Sequence, residues 1–162
     1  MPNIITHPIS PVYNQNSSIL ILGSFPSIKS RETMFFYGHP QNRFWKVVSA
    51  VFECDEPETV EDKKQFLLKN GIALWDVIDS CEITGSSDSS IKNVKVNDIS
   101  EILKIADIRQ IFVNGKTAEK YFKKYTKAQI NREAICLPST SPANAAWSVE
   151  RLVEQWKAIS KL

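Results

Sequence analysis

Four short apolar runs, each closing on residues rich in Gly, Pro, Ser or Asn, set the pattern of this chain. They are Ser18–Leu22 before Gly23-Ser24-Phe25-Pro26-Ser27, Ile72–Ile78 after the Asn70-Gly71 turn pair, Gln110–Val113 before Asn114-Gly115, and Ala134–Leu137 before Pro138-Ser139-Thr140-Ser141-Pro142. Uninterrupted apolar runs suit strands covered on both faces, which predicts a parallel sheet between helices. The intervening segments carry helical signals. Phe44, Val47, Val48, Val51 and Phe52 fall on one helix face. Thr59 with Asp62 reads as a helix start, and Asp98-Ile99-Ser100-Glu101 as a capping box before Ile102, Leu103 and Ala106. Lys116–Tyr125 is a short basic helix, and the last helix turns Val149, Leu152, Val153, Trp156 and Ile159 to the core. The alternation predicts an α/β fold: a single three-layer α/β/α domain around a four-stranded, mainly parallel sheet. In such sheets ligands gather beyond the carboxyl ends of the strands, where the Gly-, Pro- and Ser-rich segments fall. The Ser-rich stretch Gly85–Ser90 also follows a strand.

Composition narrows the class. The 162 residues suit one domain spanning 1–162, and residues 1–15, with their His and Pro residues, read as an extended N-terminal arm. Hydrophobic content of 43% and charged content of 23% are those of a globular chain. The longest apolar run is too short for a bilayer span, and no basic-then-apolar leader precedes it, so a cytoplasmic protein without membrane contact is expected. Cys54, Cys81 and Cys136 are odd in number and widely spaced, which argues against a disulfide framework, zinc site or iron–sulfur cluster. With only His7 and His39 as histidines, neither metal nor cofactor is expected. The net charge of +2 does not mark a nucleic-acid binder, because a local basic face matters more than the total. A monomer is the default expectation.

Four motifs carry candidate chemistry, and each has a structural alternative. In Gly23-Ser24-Phe25-Pro26-Ser27, Gly and Pro force a tight turn that ends a strand or brings backbone close to a ligand. In Tyr37-Gly38-His39-Pro40-Gln41-Asn42-Arg43-Phe44-Trp45, Asn42 stands where the amphipathic helix begins, as an N-cap or as a carboxamide holding a water or substrate atom; Trp45 reads as core. In Leu74-Trp75-Asp76-Val77, Asp76 ends an apolar strand, where its burial demands hydrogen bonds, from neighbouring backbone or from a base edge. In Leu137-Pro138-Ser139-Thr140-Ser141-Pro142-Ala143-Asn144, two prolines frame three hydroxyls before a helix whose free N–H groups would suit a phosphate oxygen.

In order and spacing these segments resemble the uracil-DNA glycosylase superfamily over roughly Ser18 to Trp147. Gly23–Ser27 looks like its first active-site motif and Leu137–Asn144 its second, a DNA-inserting loop. His39–Trp45 is similar to a signature of the mismatch-specific and hypoxanthine-DNA glycosylase branches, and Phe112–Ala118 matches the third strand and its exit. The mismatch-specific branch carries a catalytic Asn where Phe25 stands here, and this motif holds no Asp either. The hypoxanthine-DNA glycosylase branch likewise lacks a polar residue there, and has the Leu-Trp-Asp-Val and Ser-Thr-Ser-Pro-Ala-Asn elements. The resemblance thus implies a monofunctional glycosylase acting on DNA that contains a deaminated base, hypoxanthine foremost, with uracil and G:U or G:T mismatches as alternatives.

Such an enzyme rotates the lesion into a pocket, because the glycosidic bond cannot be reached inside a duplex. Asn42 is the candidate for positioning the water, and Asp76 for contacting the base or supporting that water. The base pocket is expected from Gly23, Ser24, Phe25, Pro26, Tyr37, His39, Trp75 and Asn114, with Phe25 and Tyr37 offering stacking faces. DNA contacts are expected from Ser27, Arg43, Lys116, Ser139, Thr140, Ser141, Pro142, Ala143 and Asn144. Three rivals remain: a non-catalytic lesion-binding protein of the same fold, a small-molecule nucleoside hydrolase, and a plain interaction module.

Overall fold

The chain begins with strand β1 (Ile4–Thr6) and β2 (Ile19–Gly23), followed by helices α1 (Ile28–Thr33), α2 (Phe44–Val51) and α3 (Val60–Lys69). Strands β3 (Ile72–Asp76), β4 (Ile78–Glu82) and β5 (Lys92–Val96) come next, then α4 (Ser100–Ile105), β6 (Gln110–Asn114) and α5 (Lys116–Tyr121). A π turn (Phe122–Thr126) leads into α6 (Lys127–Ile130); β7 (Ile135–Leu137) and α7 (Val149–Trp156) complete the order. These elements come from a computed structural model that describes residues 4–161.

The four apolar runs form one parallel sheet in the order β3-β2-β6-β7, with helices around it. Every residue of β2 and β3 is buried, as strands covered on both faces require. Helix α2 packs against α7, with Phe44 edge-on to Trp156 at 5.8 Å between ring centroids, both fully buried. Thr59 Oγ1 accepts the Asp62 N–H at 3.0 Å, which starts α3 as its sequence pattern indicates.

The sheet positions the site through its register. Gly23 lies opposite Asp76 and Asn114 opposite Leu137, so four strands finish near one level. β2 has β3 on one side and β6 on the other, and the chain therefore leaves its carboxyl end in opposite directions around it. That is the switch point at which α/β sheets open a crevice.

One expectation is corrected here. The run Ile72–Ile78 is not a single strand: it breaks at Val77, and β4 leaves the parallel sheet to pair antiparallel with β1 and β5. The break is held by Val77 N–H to Gly23 O at 2.8 Å and Ile78 N–H to Ser24 O at 3.1 Å. Asn97 Nδ2 donates to both Asp76 O and Ile78 O across it. The N-terminal segment touches both sheets: β1 pairs with β4 in the second, and Val12 exchanges backbone hydrogen bonds with Leu74 of β3 at the edge of the parallel one. The described residues include no helix long and apolar enough to cross a membrane, and no group of three or more His, Cys, Asp or Glu side chains placed to hold a metal ion.

Candidate active site

A cavity of about 280 Å³ opens at the carboxyl ends of β2, β3, β6 and β7. The turn after β2 supplies Gly23, Ser24, Phe25, Pro26 and Ser27, and the loop after β7 supplies Ser139, Thr140, Ser141, Pro142 and Ala143. Asp76 enters from the end of β3, Asn114 from the end of β6, and Tyr37, His39 and Asn42 from the segment before α2. The two loops and the carboxamide at the start of α2 therefore share one slot. A second groove of about 620 Å³ lies beyond the β7 loop, with Lys116, Thr117, Trp147 and Gln155 on its walls.

A buried polar chain ties these elements together. Asn114 Oδ1 accepts the Thr140 N–H at 3.1 Å, and its Nδ2 donates to Thr140 Oγ1 at 3.0 Å and to the Tyr37 hydroxyl at 3.2 Å. Thr140 Oγ1 in turn donates to Asn42 Oδ1 at 2.9 Å. Asn42 Oδ1 also accepts the Phe44 N–H at 2.9 Å, just ahead of α2, and among the described residues no hydrogen bond engages its amide nitrogen, on a side chain that lines the cavity. The N-cap position of α2 itself is Arg43, one residue beyond Asn42, so the Asn42 oxygen closes a turn onto the first helical N–H from outside the helix. Gly115, at φ 93°, permits the approach of the β7 loop: a Cβ there would lie 3.0 Å from Ser139 Cβ.

Replacing Thr140 with Val would keep the shape and remove the hydroxyl that bridges Asn114 to Asn42. The stranded Asn114 donor makes the expected loss about 1–3 kcal/mol. It should be read as a lower denaturant midpoint with an unchanged slope.

Asp76 is buried at 3% exposure, and its Oδ2 lies 2.7 Å from His7 Nε2. Gly23 lies against its other oxygen: a Cβ at Gly23 would collide with Asp76 Oδ1 and come within 2.9 Å of the Tyr37 hydroxyl. Glycine is required there for space. Burial pushes the Tyr37 phenol far above its ordinary pKa, with the Asp76 charge adding and the Asn114 hydrogen bond opposing. Tyr37 therefore stays protonated, its oxygen accepting from Asn114 and its ring stacked on Phe44 at 4.1 Å. Asp88, at the cavity rim, keeps an exposed face, yet partial burial raises its carboxyl above the usual range, against hydrogen bonds from Thr117 and Ser24.

Several expected site residues sit elsewhere or act otherwise. Trp75 does not line the cavity; strand alternation turns it away from Asp76 and buries its ring, with no partner for Nε1 among the described residues. Arg43 is not a free phosphate contact. Its guanidinium donates to the carbonyls of Ser141 (2.9 Å), Asn144 (3.1 Å) and Trp147, and its N–H to Thr140 O at 3.0 Å, so it braces the β7 loop. The Asn144 amide likewise turns inward, to Ser139 O at 3.0 Å. Helix α7 does not follow that loop directly: it starts at Val149 with Ser148 as its cap, and Ser141 and Ala143 give their N–H groups to Ser139 and Ser141 hydroxyls. Lys116 is exposed on the second groove and not in the cavity. Pro142 and Ala143 form the exposed tip of the loop.

A three-carbonyl clamp needs a planar fork of donors, which glutamine cannot replace. Arg43→Gln should loosen the Ser139–Trp147 segment, seen as faster proteolytic cleavage there and lower activity while the parallel sheet keeps its far-ultraviolet spectrum.

Some residues at the site escape sequence reasoning. Phe36, Ser30, Ser86 and Asp88 line the cavity, and His7 stands behind Asp76. Ser86 and Asp88 belong to the Ser-rich stretch after a strand, a signal present in the sequence with no role attached. His7 is a lone histidine in an arm, with no spacing to betray its partner 69 residues away.

The family model described as Uracil DNA glycosylase superfamily matches residues 10–162, and the chain belongs to that superfamily. Among curated proteins it is 37% identical over 150 residues to a hypoxanthine DNA glycosylase of Methanosarcina acetivorans, covering 91% of this chain and 93% of that one. It is 33% identical over 113 residues to a hypoxanthine DNA glycosylase of Methanosarcina barkeri, covering 68% of this chain and 72% of the other. The fold superposes with a TM-score of 0.81 on the solution NMR structure of a candidate uracil DNA glycosylase from Methanosarcina acetivorans, at 32% identity and 98% coverage of both chains.

Proposed function

We propose that this protein is a monofunctional DNA glycosylase that hydrolyses the N-glycosidic bond of a deaminated nucleotide, with hypoxanthine as the favoured base. The observation that carries the reading is the convergence of the Gly23–Ser27 turn, the Ser139–Ala143 loop, the Asn42 amide and Asp76 on one cavity. The relatives named as hypoxanthine DNA glycosylases support the choice of base.

In this mechanism the target nucleotide leaves the duplex, at a cost of a few kcal/mol, and its base enters the cavity. The loop tip at Pro142 and Ala143, small and exposed, enters the space vacated in the helix. Phe25 and Tyr37 flank the base, and Asp76 Oδ1 accepts its N1–H, a hydrogen that adenine lacks. Uracil presents a comparable ring N–H, which keeps it the second substrate.

As the bond to the sugar breaks, positive charge grows on C1′ and negative charge on the leaving base. With its oxygen occupied, Asn42 holds the attacking water through an Nδ2 hydrogen donated to the water oxygen, leaving a second lone pair for C1′. The proton released on attack needs a carboxylate. Asp76 is engaged with the base in this reading, which leaves Asp88, the other carboxylate lining the cavity, to take the proton. The residues lining the cavity include no lysine, so no Schiff-base intermediate is assigned and strand cleavage is not expected. Ser139 and Ser141, whose hydroxyl oxygens only accept within the loop, keep O–H donors for phosphates, whereas the Ser27 hydroxyl donates to Ser30 Oγ at 3.1 Å; Lys116 on the adjoining groove adds a salt-dependent attraction.

The test uses duplexes holding one hypoxanthine, uracil, xanthine or G:T mismatch, with free base and alkali-labile sites both quantified. Release of hypoxanthine ahead of the others supports the reading. Tight binding to lesion duplexes without any free base would instead mark a lesion-binding protein, and release from free deoxyinosine a nucleoside hydrolase.

A further inference from the structure

His7 is held from three sides. Its backbone N–H donates to Asp79 O at 2.6 Å, its Nδ1 accepts the Ile9 N–H at 3.2 Å, and its ring packs edge-on to Phe25 at 5.9 Å and tilted against Phe36 at 6.1 Å. Its side chain is 2% exposed. Because Nδ1 faces a donor, it must present a lone pair, which leaves the proton of the neutral ring on Nε2. Nε2–H therefore donates to Asp76 Oδ2 at 2.7 Å. One carboxylate oxygen is fixed by the arm, and the other, Oδ1, lies by Gly23 at the cavity.

We propose that His7 is a positioning residue for base selection: its fixed N–H orients the Asp76 side chain so that an acceptor faces the ring N–H of the extruded base. This rests on the assignment of Asp76 to the base in the glycosylase reading. The consequence is directional. In Asp76→Asn the His7 donor claims the amide oxygen, so the amide N–H₂ faces the cavity and meets the base N1–H donor to donor. A residue at position 7 that can itself turn round would free the introduced amide to present its oxygen again. Glutamine can do so, since its own amide offers either end.

The experiment measures kcat and KM for hypoxanthine release by wild type, Asp76→Asn, His7→Gln, His7→Phe and the Asp76→Asn/His7→Gln double variant, each checked by thermal melting. Asp76→Asn should lose about a hundredfold in kcat/KM, and the double variant should regain about tenfold or more of it, because an acceptor again faces the ring N–H. His7→Gln alone should stay within about threefold of wild type, and His7→Phe should raise KM about tenfold with kcat little changed. Rescue by the second substitution cannot come from a merely structural histidine. If Asp76→Asn is impaired and His7→Gln gives no recovery, the positioning role fails while the base assignment stands. If Asp76→Asn releases hypoxanthine at the wild-type rate, the assignment of Asp76 to the base fails first. Should His7→Phe not fold, the Gln pair still decides the matter.

Discussion

Asn42→Ala should lower the single-turnover rate of hypoxanthine release by about 10²- to 10³-fold, the usual cost of removing one fixed donor from a reacting centre. The substitution removes two things at once. It takes away the amide nitrogen facing the cavity, and it strands the Thr140 hydroxyl and Phe44 N–H that its oxygen satisfies. The structural part is separable, because Asn42→Asp keeps the oxygen cap for Phe44 and Thr140 yet lacks the N–H₂. Equal rate losses in the two variants, with the Asp variant melting near wild type, would assign the effect to the amide nitrogen. Full activity in Asn42→Asp would remove that nitrogen from the chemistry.

The second large effect concerns Asp76. Substitution by Asn should cost about a hundredfold in kcat/KM on hypoxanthine, because a buried carboxylate that accepts a ring N–H is replaced by an amide turned the wrong way. The loss should appear mainly in KM, since the N1–H is bound in ground state and transition state alike. Discrimination against adenine should narrow in the same variant, as adenine N1 is an acceptor and meets the introduced N–H₂ favourably. Competition by undamaged duplex measures this directly: an unchanged ratio of lesion to normal DNA affinity would argue against Asp76 as the base-reading group.

How much of this is legible in the sequence follows from what each signal measures. β2, β3 and β6 are readable because burial on both faces leaves unbroken apolar runs, the edge strand β7 by its short apolar run before Pro138, and Gly23, Asn114 and the Pro138–Asn144 segment announce the strand ends. The second sheet is not. β4 and β5 match β2, β3 and β6 in length but are partly exposed, with no clean alternation, and Ile78 merges into the preceding run although it pairs with Val96. Asn42 and Asp76 draw attention as polar groups in places where polarity needs a reason. Arg43 misleads for the opposite cause: a cation in a motif suggests an anion, and nothing local reveals that carbonyls from a loop some hundred residues away (Asn144 is 101 positions on) satisfy it. His7 is the same problem in sharper form, a tertiary contact that no local pattern encodes.

The central claim is that the cavity between the β2 turn and the β7 loop receives an extruded base beside Asn42. A crystal structure of Asn42→Ala bound to a duplex containing deoxyinosine tests it most directly. The expected result is hypoxanthine inside the cavity, its N1–H within hydrogen-bond reach of Asp76 Oδ1, with Pro142 and Ala143 in the gap left in the helix. An inosine still stacked in the duplex, or a base lodged in the second groove along Lys116 and Trp147, would contradict the account.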